Sequence, residues 1–338
     1  MKYSFMNDYS IIGHPKVLKK LLECSMEQNV GYGLDVHTNN AKKLIQKHIE
    51  KPVDIYFLTG GTQANLVVIS HMLKNYQAVI SVETGHINVH EAGAIEGCGH
   101  KILTVKGENG KILPYEIEEI VKMHPDMHMV QPKLVYISNT TEVGSVYSRK
   151  ELIEISKMCK KHNLYLFLDG ARLASGLAAS DMTLNDIANY CDAFYIGGTK
   201  NGLPYGEAVV IANPTLVDGF DYHIKNKGAL LAKGFACSIG FEALFENGLY
   251  FEIGRSENES ALFLASGLEK LGFSFSNYPQ SNQVFVKMKK SLTESIKNDY
   301  LFEVFSEEDD MYVVRLVTAF DTKIEDCKEF LSYLELRI

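Results

Sequence analysis

Lys200 stands in the stretch "GGTKNG", boxed by glycines at 197, 198 and 202, directly after the apolar run "AFYI". An amine at the end of a buried strand is partly withdrawn from water, which lowers its pKa and suits it to Schiff-base formation. Asp169 and Arg172 stand together in "FLDGARLASG", again just past an apolar run. Such a pair either ties off a strand end as a salt bridge or holds a charged ligand. "TGGTQAN" (59–65) adds Gly61 and Thr62 at a strand-to-helix junction. Backbone N–H groups and a Thr hydroxyl at such a junction make an anion cradle. It is neither a Walker loop nor a G-x-G-x-x-G fingerprint, and a Gly pair before a helix is in most proteins just a turn. "TGHINVHEAGA" (84–94) brings His86, His90 and Glu91, whose types could ligate a metal, but H-E-x-x-H is absent and no further ligand is evident.

The elements that must position these residues follow from short apolar runs alternating with helical patterns. Strands are expected at 53–58, 78–83, 100–105, 133–138, 164–168 and 193–198, with helical stretches such as "TQANLVVISHMLKN" and "RKELIEISKMCKKHN" between them. Repeated strand–helix–strand order predicts an α/β domain with a mostly parallel sheet, and ligands of such sheets collect beyond the carboxyl ends of the strands. Every feature of the preceding paragraph falls there, as does "NTTEVG" (139–144). That convergence counts for more than any one motif.

From about residue 240 the pattern changes to a long helical stretch, the strand candidates "NQVFVKM" and "MYVVRLVTAF", and a closing helix. The expected organisation is residues 1–240 as an N-terminal segment with the large domain, and 241–338 as a small α+β domain. At 338 residues the chain is long enough for two domains, and 46% hydrophobic with 22% charged residues is ordinary for a globular protein. A net charge of −8 with scattered basic residues argues against a nucleic-acid surface. No run approaches the roughly 18 apolar residues that span a bilayer, and the N-terminus has no secretory h-region. The six cysteines form no C-x-x-C pair, and reduced thiols in a cytoplasmic protein are expected.

A lysine able to form an imine, an aspartate nearby and a phosphate cradle together fit pyridoxal 5'-phosphate. The Asp would keep the pyridine nitrogen protonated, and His86 could lie flat over the ring. The blocks "FLTGGTQANL", "GHINVHEAGA", "FLDGARLASG", "GGTKNGLPYGEAVVI" and "VVRLVTAFD", in this order along nearly the whole chain, resemble the L-threonine aldolase family. That family belongs to the fold type I, aspartate-aminotransferase-like pyridoxal-phosphate enzymes of the β-eliminating lyase group. The resemblance implies that Lys200 carries the cofactor, that Asp169 meets the pyridine nitrogen and that Gly61 and Thr62 hold the phosphate. It implies too that His86 stacks on the ring, that Arg172 lies near the cofactor and the substrate carboxylate, and that Arg315 clamps that carboxylate. A homodimer or homotetramer with shared sites is implied, Lys227 or Lys233 reaching a neighbouring subunit's phosphate.

Two departures from the family pattern bear on the substrate. Asn7, Asp8 and Tyr9 replace a Ser-Asp-Thr segment lining the pocket, with Asn7 as a substrate-binding candidate. Thr141 and Glu142 replace a His that approaches the substrate's β-hydroxyl. The base is then His86 or, provided burial raises its pKa, Glu142; His86 is favoured, because Glu142 reads as a solvent-facing turn residue. The implied function is a lyase that cleaves L-threonine, L-allo-threonine or a related β-hydroxy-α-amino acid to glycine and an aldehyde. Another pyridoxal-phosphate reaction, β-elimination or transamination, is the alternative. A metal-dependent hydrolase at His86, His90 and Glu91 and a catalytically dead regulator are the readings from other classes. Lys200 and Asp169 speak against the latter.

Overall fold

The structure is a computed structural model that describes residues 2–338. Its strands, in chain order, are β1 (Tyr3–Ser4), β2 (Asp54–Leu58), β3 (Gln77–Val82), β4 (Lys101–Val105), β5 (Gln131–Ser138), β6 (Tyr165–Asp169), β7 (Ala193–Gly197), β8 (Glu207–Ile211), β9 (Ser274–Asn277), β10 (Gln283–Lys289), β11 (Tyr300–Leu301), β12 (Glu303–Glu308) and β13 (Met311–Val317). A seven-stranded sheet has the order β2-β8-β7-β6-β5-β3-β4. β8 runs antiparallel to both its neighbours, and every other pairing is parallel.

The central strands are mostly apolar because helices cover both faces. β3, β7 and β8 are buried at every position. Residues alternate between the two faces, so Val79, Tyr136, Phe167 and Tyr195 enter one core while Ile80, Val135, Leu168 and Ile196 enter the other. The covering helices start where their sequence says they should. Ser148 and Glu151 form a reciprocal capping box before Arg149–Lys161, Thr183 and Asp186 another before Leu184–Tyr190, and Asp35 accepts from the Thr38 N–H at the head of Val36–Gln46.

The stretch read as one long helix from about residue 240 is two, Phe235–Glu246 and Leu249–Lys270. Gly248 breaks it with φ of 72°, a left-handed conformation that glycine adopts without a Cβ clash. A second, four-stranded antiparallel sheet has the order β12-β13-β10-β9. Its core joins Val284, Val286, Val314 and Leu316 to Leu264, Leu268 and Phe330. Phe5 belongs to this core and β1 pairs with β11, so the first residues of the chain are built into the C-terminal unit. The helix Phe235–Glu246 runs across position 240 without interruption.

Candidate active site

Asp169 closes β6, and its carboxylate accepts four hydrogen bonds. Oδ2 accepts from the Tyr136 hydroxyl at 2.6 Å and from Asn65 Nδ2 at 3.0 Å. Oδ1 accepts from the Ala171 N–H at 3.0 Å and from the Tyr195 hydroxyl. Tyr136 and Tyr195 come from β5 and β7, the strands flanking β6. Burial pushes the Asp169 carboxyl up, but the nearby His86 charge and the tyrosine hydroxyls outweigh it and hold it below the usual carboxylate range. A buried carboxylate kept ionised and turned toward the end of the sheet is equipped to face a cationic ring nitrogen.

Lys200 lies in the loop 198–206 that joins β7 to the antiparallel β8. Burial, then the Arg172 charge, holds its amine below the ordinary lysine range, against the opposing pull of Asp8, Asp169 and Glu207. The loop is fixed by the N–H groups of Gly198 and Thr199, which both donate to the Gly206 carbonyl, and by the Gly198 N–H, which also donates to Glu207 Oε2 at 2.8 Å. Lys200 Nζ stands 6.0 Å from the ring of Tyr9.

The helix Gly61–Met72 begins at the same edge, and Gly60 before it offers no side-chain cap, so its first N–H groups are open to an anion. Gly61 packs so closely that a Cβ there would lie 2.9 Å from the Tyr195 hydroxyl. The Thr62 side chain is exposed at the helix head. The cradle and Asp169 are therefore linked through one tyrosine.

His86 heads a single helical turn, His86–Val89. Its Nδ1 lies 2.8 Å from Glu91 Oε1, which also accepts from Asn65 Nδ2 at 2.7 Å. Burial alone would push the imidazole down, but the Glu91 hydrogen bond and the Asp169 charge leave it above the ordinary histidine value. Glu142 is not in solvent, contrary to the expectation from its place in a turn. Its Oε1 accepts from Ser138 Oγ at 2.7 Å and from the His86 backbone N–H at 2.9 Å, while Oε2 is buried without a partner. Burial raises its pKa above the ordinary glutamate value. The turn folds back against β5, so the carboxylate of a residue that reads as exposed loop is enclosed.

Arg172 and Arg315 lie near each other: burial, then the Arg172 charge, holds the Arg315 guanidinium below the ordinary arginine range, while Asp8 holds Arg172 above it against the pull of burial. Arg172 spends its donors on Asp8, Nε to Oδ2 at 2.6 Å and Nη2 to Oδ1 at 3.2 Å, and Asn282 Nδ2 donates to the same Asp8 at 3.0 Å. Arg315 Nη2 pairs with Glu303, and its Nε is buried with no partner among the described residues. Asn7 turns to its own loop, where its Oδ1 accepts from the Tyr9 N–H and Ser10 Oγ. Lys227 reaches Cys98 Sγ at 3.6 Å, and Lys233 is exposed. Neither approaches the carboxyl edge of its own sheet through any bond seen here. His86, His90 and Glu91 do not gather their ligand atoms as a metal-sized group.

Sequence reasoning missed Asp8 as the partner of Arg172, the two tyrosines and Asn65 on Asp169, and Glu91 on His86. Tyr136 and Tyr195 carried a signal: each is a hydroxyl inside an otherwise apolar buried strand, where it must find an acceptor. The set as a whole fits pyridoxal 5'-phosphate. It offers an amine of lowered pKa, an ionised buried carboxylate, an uncapped helix head and an arginine nitrogen still seeking an acceptor.

Comparison with known proteins agrees. The beta-eliminating lyase family matches residues 10–291. Low specificity L-threonine aldolase of Pseudomonas sp. (strain NCIMB 10558) is 34% identical over 272 residues, 79% of each chain. The enzyme of the same name from Pseudomonas aeruginosa is 30% identical over 329 residues, 95% of this chain and 94% of its own. Among solved structures, threonine aldolase from Leishmania major superposes with a TM-score of 0.97 at 43% identity over 99% of both chains. Aspartate aminotransferase from Thermotoga maritima, at 16% identity and a TM-score of 0.74 over 99% of this chain and 91% of its own, shares the fold. With its fold, its site geometry and these relatives in agreement, the chain belongs to the beta-eliminating lyase family, within its L-threonine aldolase group.

Proposed function

We propose that this protein is a pyridoxal-phosphate-dependent lyase that cleaves L-threonine, L-allo-threonine or a related β-hydroxy-α-amino acid into glycine and an aldehyde. The observation that carries this reading is the buried Asp169 carboxylate, held ionised by Tyr136, Tyr195 and Asn65 and facing the same edge as the low-pKa amine of Lys200. The chemistry such a cofactor would supply when bound is an electron sink for bond cleavage at the substrate's Cα.

The residues of this chain do the rest. Lys200, with its lowered pKa, would hold the cofactor. Asp169 would keep a proton on the pyridine nitrogen, and the head of the helix at Gly61 and Thr62 would take the phosphate. Arg315, whose Nε lacks a partner, accepts the substrate carboxylate, with Arg172 fixed beside it by Asp8. A guanidinium is suited to this because it can hold both carboxylate oxygens. His86 takes the β-hydroxyl proton on Nε2, the nitrogen that Glu91 leaves free. Glu142 positions His86 by accepting its backbone N–H.

Assembly as a homodimer or homotetramer with shared sites, Lys227 or Lys233 serving a neighbour's phosphate, is part of this proposal. Ile11, Ile12, Val30 and Leu34 are 48%, 71%, 63% and 73% exposed, apolar side chains that an assembly would cover. No helix among the described residues is long and apolar enough to cross a membrane. The six free cysteines support a cytoplasmic setting. The boundary near residue 240 stands as a proposed division of the chain.

The test combines trapping and partition. Borohydride reduction of the loaded protein should fix the cofactor on the peptide containing Lys200, and labelling at another lysine would overturn the assignment. With β-chloro-L-alanine, slow or no pyruvate release against rapid glycine release from L-threonine supports the lyase. The reverse ranking would favour β-elimination.

A further inference from the structure

We propose that Cys24, Glu27 and His37 form a zinc site that is separate from the active site. Cys24 caps the C-terminal end of helix Pro15–Glu23, Glu27 sits in the turn that follows, and His37 opens helix Val36–Gln46. A thiol sulfur, a carboxylate oxygen and an imidazole nitrogen of these residues lie within 4.8 Å of one another, the only such group of ligand types among the described residues.

The chemistry selects the ion. Thiolate and imidazole are ligands of zinc and its neighbours rather than of calcium or magnesium, which take oxygen donors. Three protein ligands and a water complete a tetrahedral zinc shell. Cys24 and His37 are buried, whereas the Glu27 side chain is 49% exposed, so water and metal can enter past it.

The outer shell is already built. His37 Nδ1 lies 2.7 Å from Glu242 Oε2 on helix Phe235–Glu246, and Asn40 Nδ2 donates to Glu242 Oε1 at 3.2 Å. A carboxylate on the far nitrogen of a ligating histidine fixes the ring and makes it a better ligand. The near nitrogen, Nε2, lies 2.7 Å from Glu27 Oε2, so a proton now bridges the two atoms a metal would bridge. With zinc-to-ligand distances of about 2.0–2.3 Å, these atoms need to spread only to about 3.3 Å apart, and Glu27 is free to swing outward. Binding releases the Cys24 thiol proton and the His37 Nε2 proton to water.

None of these residues takes part in the proposed chemistry at Lys200. The site would pin residues 25–35 between two helices. That segment docks through the Tyr32 N–H, which donates to the Ala232 carbonyl at 3.1 Å.

The experiment uses the full-length, cofactor-loaded protein, freed of metal by a chelator and titrated with Co²⁺, then Zn²⁺. The expected result is about one equivalent of cobalt per chain, with tetrahedral d–d bands to the red of the cofactor's absorption, displaced by zinc. Zinc should also raise the melting temperature of the wild-type chain. Cys24→Ser and the more exposed Glu27→Gln should each weaken metal binding at least about tenfold with threonine turnover unchanged. Absence of the visible bands would overturn the proposal. So would bands that persist unchanged in both variants. Either result would leave His37 as a hydrogen-bonded link between two carboxylates.

Discussion

Replacing Asp169 by Asn removes the one charge that Tyr136, Tyr195 and Asn65 are arranged to hold. A neutral amide cannot keep a pyridinium protonated, so turnover should fall by several orders of magnitude with the fold intact. A variant within about tenfold of the parent would make Asp169 a strand cap only. His86→Phe should lower retro-aldol activity while the absorbance of bound cofactor stays. Glu142→Gln should be mild, because an amide oxygen can still accept from Ser138 and from the His86 N–H. The opposite pattern would move the base to Glu142. His86 is a base only when neutral, and its pKa is raised, so the rate should climb as pH passes above the ordinary histidine value. Glu91→Gln keeps an acceptor for Nδ1 but removes the negative charge that favours the imidazolium, and should shift that limb toward acid. Glu207 gives a stability effect of opposite origin. Burial pushes its carboxyl from 4.5 up to about 7, so between these values the native state holds a proton that the unfolded chain has released. Stability therefore falls as pH rises through that window, by on the order of 3 kcal/mol, and is flat above it. Denaturant titrations at pH 5 and pH 8 should show this difference, and Glu207→Gln should flatten it.

At the scale of the elements, the carboxyl edge of the sheet does the positioning, and close packing enforces it. Gly61 is small because Tyr195 occupies the space beside it. Gly61→Ala should displace that hydroxyl from Asp169 and weaken cofactor binding about tenfold or more, a change of about 1.4 kcal/mol readable by equilibrium titration. Gly254, in helix Leu249–Lys270, leaves no room either. A Cβ there would stand 2.1 Å from the Ala174 carbonyl oxygen, on the helix that follows Arg172. Gly254→Ala should cost about 1–3 kcal/mol, and a neutral denaturation midpoint would contradict this packing. The strand–helix alternation and the positions of Lys200, Asp169, Arg172 and the Gly61 turn were legible in the sequence, because buried parallel strands are apolar runs and their ends carry the polar residues. The environment of Glu142 was not, since a turn that folds back against its own strand looks like any exposed turn. The pairing of Arg172 with Asp8 spans most of the large domain, and local pattern cannot show it. The break at Gly248 was readable in "ENG", but helical residues on both sides mask it.

The molecule as a whole joins its first residues to its last unit, β1 to β11 and Asp8 to Asn282, and the same Asp8 holds Arg172. This N-terminal docking carries no periodic signal and was not legible in the sequence. Sedimentation should find a dimer or larger assembly, and an active monomer would contradict shared sites. Mixing Lys200→Ala chains with chains altered at Lys227 or Lys233 should restore part of the activity if subunits complete one another's sites. The most direct test of the central claim is product analysis. Wild-type and Lys200→Ala protein are incubated side by side with pyridoxal 5'-phosphate and L-threonine. The wild type should release glycine and acetaldehyde in equal amounts, and the variant neither above background. Release of 2-oxobutanoate and ammonia by the wild type, or undiminished turnover by Lys200→Ala, would contradict it.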